Sequence, residues 1–295
     1  EEWGVECVTG DVADADSLPP AFRDVTTVYH AAAKVGDWGP WQQFQRITID
    51  GTRNMLEAAR DANVARFLHV SSISAYGHPN GKGLVLDESA PLGVNLHRWS
   101  YYSRAKAEAE RIAWDYHSRG EVPVTVVKPS WLYGPRDRAS MPRLVRALRA
   151  GKGKLIGDGS NRLNLTYAQN EAEGCVLAAT TDKALGQAYN LASDGGITQR
   201  EYFTKIAECL GVDPPTRKVP YGLAKQAGFW MEFFGHLFGK KNPPLVTRYS
   251  VWLIGRQCFF SSDKARRELG WTASVPYDEG IRRAVRWCLD HAVDA

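Results

Sequence analysis

"SYYSRAKAEAERIAWDYHSRGEVPVTVVKPS", residues 100–130, sets two periodicities back to back. Its first part is rich in Ala, Glu, Lys and Arg, the residues that lose least on entering a helix, and Gly120 suits the closing position. Its second part, "VPVTVVKPS" (122–130), is a continuous β-branched run of the kind that forms a strand buried on both faces. Working outward, the alternation repeats. Strands are predicted over "GVECVTGD" (4–11), "TTVYHAAA" (26–33) and "RFLHVSSI" (66–73), with a helix over 41–63 that closes on Asn63. Buried strands separated by helices imply βαβ units, and so an α/β fold with a doubly wound parallel sheet. In such a sheet ligands sit beyond the carboxyl ends of the strands. That rule selects "GDV" (10–12), "HAAAKVG" (30–36), "SSISAYG" (71–77) and "KPSWLYGP" (128–135).

After residue 135 the texture changes to a helix, a Gly-rich turn and a buried strand over 186–193. A helix over 197–211 follows, then a Trp- and Phe-rich stretch and a final amphipathic helix over 277–293. Residues 1–135, with about 163–193, are therefore expected to form a dinucleotide-binding domain. Residues of about 136–162 and 194–295 are expected to form a smaller substrate-binding region.

Composition narrows the class. The 295 residues are 44% hydrophobic and 24% charged, with a net charge of +4 spread over many acids and bases, so nothing marks a nucleic-acid partner. The five cysteines are scattered without a paired spacing or a His cluster, which speaks against disulfide frameworks and metal sites and fits a reducing, cytoplasmic compartment. No long uncharged apolar run reads as membrane-spanning.

Within the helix, Tyr102 and Lys106 stand four residues apart and so share a face. Many exposed helices carry this spacing without consequence; Ser72, at the end of a predicted strand, gives it chemical meaning. A phenol with a pKa near ~10 is a poor base at neutral pH. An ammonium beside it favours the phenolate, and a serine hydroxyl can hold a substrate oxygen while its C–H bond breaks. The trio suits hydride transfer at a carbinol carbon.

At these residues the chain resembles the extended short-chain dehydrogenase/reductase family. "GDVADADSL", "VYHAAA", "DGTRNMLEAA", "HVSSISAYG", "YYSRAKAEAE", "KPSWLYGP", "YNLAS" and "SSDKARRELGW" fall in that family's order. "AAKVGDWGPW" and "PPLVTRYSVWLIGRQCFFSSDKARRELGW" are most similar to its branch of 3β-hydroxysteroid dehydrogenases, sterol-4α-carboxylate 3-dehydrogenases and 2-alkyl-3-oxoalkanoate reductases. The resemblance implies Tyr102 as proton donor or acceptor, Lys106 on the nicotinamide ribose and tuning Tyr102, and Ser72 on the substrate oxygen. It also implies NAD or NADP flanked by Asp11, Val12, Ala31, Ala32, Ala33, Ser71 and Pro129, and a homodimer built in part on the Tyr102 helix. A hydrophobic small-molecule substrate is expected beside Trp38, Trp41, Ser74 and Trp131, with Phe229, Trp230 and Phe233 as further candidates. Those aromatics would otherwise simply fill a core. The stretch 229–241 reads either as a lid over an apolar pocket or as a helix lying on a membrane surface.

The chain departs from the family pattern in two places. Thr48 stands where the family usually has an Asn that supports a proton relay. The glycine-rich strand–turn–helix that the family places ahead of "GVECVTGD" is missing, which reads as a truncated product expected to bind neither NAD nor NADP and to be poorly soluble. "GKGKLIGDG" (151–159) follows a helix instead of a strand and so is the wrong context for phosphate. Ser72-Ile73-Ser74 lacks the acidic pair of the related dehydratases, and Ser130-Trp131 lacks the Asn common in the epimerases. A nucleotide-sugar epimerase and a non-enzymatic dinucleotide-binding protein remain the alternatives to a dehydrogenase.

Overall fold

Short apolar runs become strands only where a neighbouring backbone takes up their N–H and C=O groups. The computed structural model describes residues 4–291, so the last two positions of the helix expected over 277–293 lie outside the described residues. In chain order the elements begin with β1 (Thr27–His30), α1 (Trp41–Phe44), α2 (Gly51–Asp61), β2 (Arg66–Val70), β3 (Val85–Leu86), α3 (Tyr101–Ser118) and β4 (Val124–Pro129). They continue with β5 (Trp131–Tyr133), α4 (Ser140–Arg149), β6 (Leu155–Ile156), β7 (Leu165–Tyr167), α5 (Ala168–Thr180) and β8 (Ala188–Leu191). The rest are α6 (Gln199–Leu210), β9 (Lys218–Val219), α7 (Tyr221–Leu237), α8 (Arg248–Gly255), β10 (Phe259–Phe260), α9 (Asp263–Leu269) and α10 (Tyr277–Asp290).

The main sheet has the order β1-β2-β4-β8. β1 runs parallel to β2, with His30 opposite His69, and β2 runs parallel to β4, with Val70 opposite Val127. The carboxyl ends of β1, β2 and β4 therefore open on one edge, as the sequence predicts. Helices α2 and α3 bury Leu56, Ala59 and Ala113 with the strand residues Phe67, Val124 and Val126. Asn63 (φ 52°) and Gly120 (φ 71°) occupy the left-handed conformation just beyond these two helices, the stop signals expected of them.

Two expectations need correction. Residues 4–11 form no strand; they are exposed, and no described residue pairs with them as a ladder. Without a neighbour the β-branched pattern there has nothing to add to. The helix over 41–63 is also not continuous, because a π-helical stretch, Gln45–Asp50, separates α1 from α2. At its end Gly51 is needed for close packing, since a Cβ there would lie 2.9 Å from Val12 Cγ2.

The chain parts into two compact units, Glu1–His78 with Pro91–Lys128 and Cys175–Tyr189, and Pro79–Ala90 with Pro129–Gly174 and Asn190–Ala295. Residues 79–90, 129–135, 163–174 and 190–193 thus fall in the second unit instead of with the sheet's first strands. Strand pairing explains much of it: β3 pairs with β10 and β5 with β7, all inside the second unit. That unit has its own core, including Tyr133, Leu165, Ile206 and Val285, and α6 opens with the capping box of Thr198 and Glu201.

Gly77, just past the end of the Ser72 turn, has φ 91°, and a Cβ on it would meet the Val94 carbonyl oxygen at 1.9 Å. Gly77→Ala is expected to destabilise the fold by about 2–4 kcal/mol through combined backbone strain and overpacking. A shift of the urea midpoint at unchanged slope would register it; an unchanged midpoint would contradict it.

Candidate active site

Tyr102, Lys106 and Glu110 succeed one another at four-residue steps on α3, so one helix face carries a phenol, an ammonium and a carboxylate. That face meets the end of β2. Ser72 caps the short 3-10 turn Ile73–Tyr76, its Oγ accepting the Ser74 N–H at 3.1 Å. The same hydroxyl is hydrogen-bonded to the Tyr102 phenol, so the predicted serine and tyrosine are brought together.

Lys106 is buried, and its Nζ donates to the Val70 carbonyl at 2.8 Å. Burial pushes its ammonium down to about 8, with the Glu110 carboxylate opposing the shift. Burial likewise raises the Tyr102 phenol, and the Ser72 hydrogen bond is what pulls the other way. In the structure the ammonium is turned to the β2 carbonyl, and desolvation of the phenol dominates.

Beneath these groups lies a network that the sequence reading missed. Glu110 and Lys128 form an ion pair at 2.8 Å with side chains only 1% and 2% exposed. The Ser71 hydroxyl donates to the other Glu110 oxygen at 2.6 Å, and the Lys128 ammonium lies 4.1 Å from the centre of the Tyr76 ring. Ser71, expected to face the cofactor, thus gives its hydroxyl to the carboxylate that supports the strand end. The signal was present in the continued four-residue step from Lys106 to Glu110, but only the crossover of β4 shows that Lys128 meets it.

The other predicted residues are placed as follows. Ala31 and Ala32 are exposed just beyond β1, with Ala33 half-buried after them. The π-helical turn sets Thr48 under this loop, its Oγ1 accepting the Lys34 N–H at 3.0 Å. Asp11 is exposed and its carboxylate accepts the Ala13 N–H at 2.9 Å, while Val12 packs on Gly51 and its carbonyl accepts from Asn54 Nδ2 at 2.9 Å. Ser74 is buried, and so is Trp38; the Trp41 ring contacts Tyr101 at 5.6 Å and carries the Arg104 guanidinium 4.5 Å above it. Pro129 and Trp131 belong to the second unit, where Trp131 Nε1 donates to Ser140 Oγ at 3.1 Å and its ring packs edge-on to Tyr202. The indole of Trp131 therefore fills a core, the alternative reading for these aromatics. Trp230 and Phe233, also considered for a pocket wall, are exposed. His30 is a packed strand residue whose Nε2 pairs with Thr52 Oγ1 at 3.0 Å; burial and then Lys106 hold it down to about 3, so it stays neutral.

A small-residue loop beyond β1, then a serine, a phenol and an ammonium at the next strand's end, fit the nicotinamide-ribose part of a dinucleotide. Exposed Ala31 and Ala32 allow close backbone approach, and Lys106 and Tyr102 supply donors for hydroxyls. Fold and donor set together describe a dinucleotide-dependent α/β protein. Residues 2–192 match the NAD dependent epimerase/dehydratase family, and the chain belongs to that family.

Among its relatives are two Arabidopsis thaliana 3beta-hydroxysteroid-dehydrogenase/decarboxylases. Isoform 2 is 30% identical, with 95% of this chain matching 51% of that protein; isoform 1 is 32% identical, with 95% matching 66%. The chain thus spans between half and two thirds of their length. A 2-alkyl-3-oxoalkanoate reductase of Shewanella oneidensis is 28% identical, with coverages of 96% and 75%. Among solved structures, that of gox2253 superposes with a TM-score of 0.80 at 27% identity, covering 99% of this chain and 87% of the other. UDP-glucuronic acid 4-epimerase from Bacillus cereus, solved with NAD, has a TM-score of 0.73 at 21% identity, covering 96% and 80%, and shares the fold.

Proposed function

We propose that this protein is an NAD-dependent oxidoreductase that interconverts a 3-hydroxy and a 3-oxo group on a bulky apolar substrate, sterol-like or a 2-alkyl-3-oxoalkanoate. The observation that carries the reading is the hydrogen-bonded Ser72–Tyr102 pair with Lys106 one turn further along the same helix face. The relatives that act on such compounds by name support the substrate class.

NAD, when bound, supplies the hydride acceptor or donor. The chain's own residues handle the oxygen and its proton. Ser72 Oγ holds the substrate oxygen, and Tyr102 Oη gives a proton to it during reduction or takes one during oxidation. A phenol is protonated at neutral pH and burial pushes it further that way, so the resting site is poised as a proton donor, the state that reduction requires. Lys106 holds ribose hydroxyls, and its charge opposes any negative charge left on Tyr102.

Reduction of a 2-alkyl-3-oxoalkanoate and oxidation of a 3β-hydroxysteroid, followed at the nicotinamide absorbance in a protein that also carries the family's glycine-rich strand–turn–helix, are the direct assays. Turnover of either supports the reading. Turnover of UDP-glucuronic acid to its 4-epimer, with neither apolar compound used, would favour the epimerase alternative that the fold also permits. The titration of Lys106 adds a pH test. Its ammonium is present below about 8 and lost above it, so kcat/KM for reduction is expected to fall as pH rises through that value. A flat profile from pH 7 to 10 would remove Lys106 from the site.

A further inference from the structure

Helix α7 is amphipathic the wrong way round. The side it turns to the body of its unit is small or charged: Ala224, Gly228, Glu232 and Gly235 are its buried residues. Gly228 abuts the start of α8, where a Cβ would lie 2.9 Å from the Arg248 nitrogen. Glu232 is saturated there, accepting from the Arg248 backbone N–H at 2.6 Å and from its Nε at 2.7 Å. The side it turns outward is apolar. Trp230 is 55% exposed, Leu237 62% and Phe238 70%, with Leu223 and Phe234 exposed as well. Along this stripe the rings stack on one another, Trp230 on Phe234 at 6.1 Å and Phe234 on Phe238 at 6.2 Å. Aromatic surface gathered in this way marks an interaction site.

Charge identifies the occupant. From Tyr221 to Thr247 the only acid is Glu232, which is buried against Arg248, whereas Lys225, Lys240 and Lys241 are exposed. Lys240 and Lys241 follow the aromatic stripe directly and, with Trp230, Phe234 and Leu245, border a groove of about 610 Å³. Leu245 beyond them is almost fully exposed. Apolar rings flanked by ammonium groups complement acyl chains beneath lipid phosphates, and tryptophan favours that boundary. No helix among the described residues is long and apolar enough to cross a membrane, so this one would lie in the plane of the surface. A lid over an apolar pocket would need the aromatic side turned inward, and it is turned outward.

We propose that the outward face of α7, with Lys240 and Lys241, seats the protein on an anionic lipid bilayer. The stripe inserts its rings at the level of the headgroups, and the lysines pair with lipid phosphates. This surface shares no residue with the Tyr102 site, so the two readings stand or fall separately.

Co-sedimentation with phosphatidylcholine–phosphatidylserine vesicles tests it, with phosphatidylcholine vesicles as the uncharged control. Binding is expected to the anionic vesicles, weaker at high salt and much weaker without phosphatidylserine. Trp230→Ser with Phe234→Ser should weaken it by about 100-fold, and Lys240→Glu with Lys241→Glu by about 30-fold or more. These side chains are exposed, so both variants should keep the parent's thermal unfolding, which separates lost binding from lost folding. No binding to either vesicle would overturn the proposal, as would variants that bind undiminished. So would a dimer in light scattering that Trp230→Ser with Phe234→Ser converts to monomer, since a second copy would then cover the stripe.

Discussion

In a protein that also carries the family's glycine-rich strand–turn–helix, Tyr102→Phe is expected to lower kcat by about 10²- to 10⁴-fold while the affinity for NAD changes by no more than about 3-fold. The substitution removes one oxygen and leaves the ring packed where it is. That oxygen is the one bonded to Ser72, and on the proposed mechanism it is the only route for the substrate proton. Ser72→Ala should cost less, because the phenol would remain and only its alignment with the substrate oxygen would suffer. Steady-state kinetics with calorimetric NAD titration separate the two effects. A Tyr102→Phe protein that retained most of the parent's turnover would mean that another group moves the proton.

The largest loss of stability is expected from Glu110→Ala, about 3–5 kcal/mol in chemical denaturation. The cost comes mainly from what is left behind. Lys128 would be left at 2% exposure without its ion-pair partner, and Ser71 would lose the acceptor of its 2.6 Å hydrogen bond. The double change Glu110→Leu with Lys128→Met should recover most of that loss, since burying two apolar groups in place of an ion pair is often neutral. If the double variant is no more stable than Glu110→Ala, the penalty does not arise from an orphaned lysine. The same variants also bear on chemistry, because Glu110 opposes the burial shift of Lys106. Glu110→Gln should therefore move the fall of the pH–rate profile below about pH 8.

Much of the site could be read along the chain because its parts are local. Tyr102, Lys106 and Glu110 share a face through helical spacing alone, and Ser72 lies just beyond a strand whose parallel course follows from the helix on either side of it. The stops at Asn63 and Gly120 were also legible, since left-handed backbone is a property of single residues.

What tertiary structure alone decided depends on partners distant in sequence. The pattern over 4–11 promises a strand, but a strand exists only with a neighbour to take its hydrogen bonds, and none of the described residues does so. Lys128 reads as one more strand-end residue until β4 carries it to Glu110, and only the fold shows that the Lys106 ammonium donates to a β2 carbonyl at 2.8 Å. In α7 the helical repeat of apolar residues is plain in the sequence, yet repetition gives no sign of which side turns inward. Gly228 and Glu232 settled that: the first admits the backbone of α8 and the second binds Arg248, so the small, charged side docks and the aromatic side faces out. Local spacing determines which side chains share a face. Where that face points is decided by the backbone or charge that meets the opposite one.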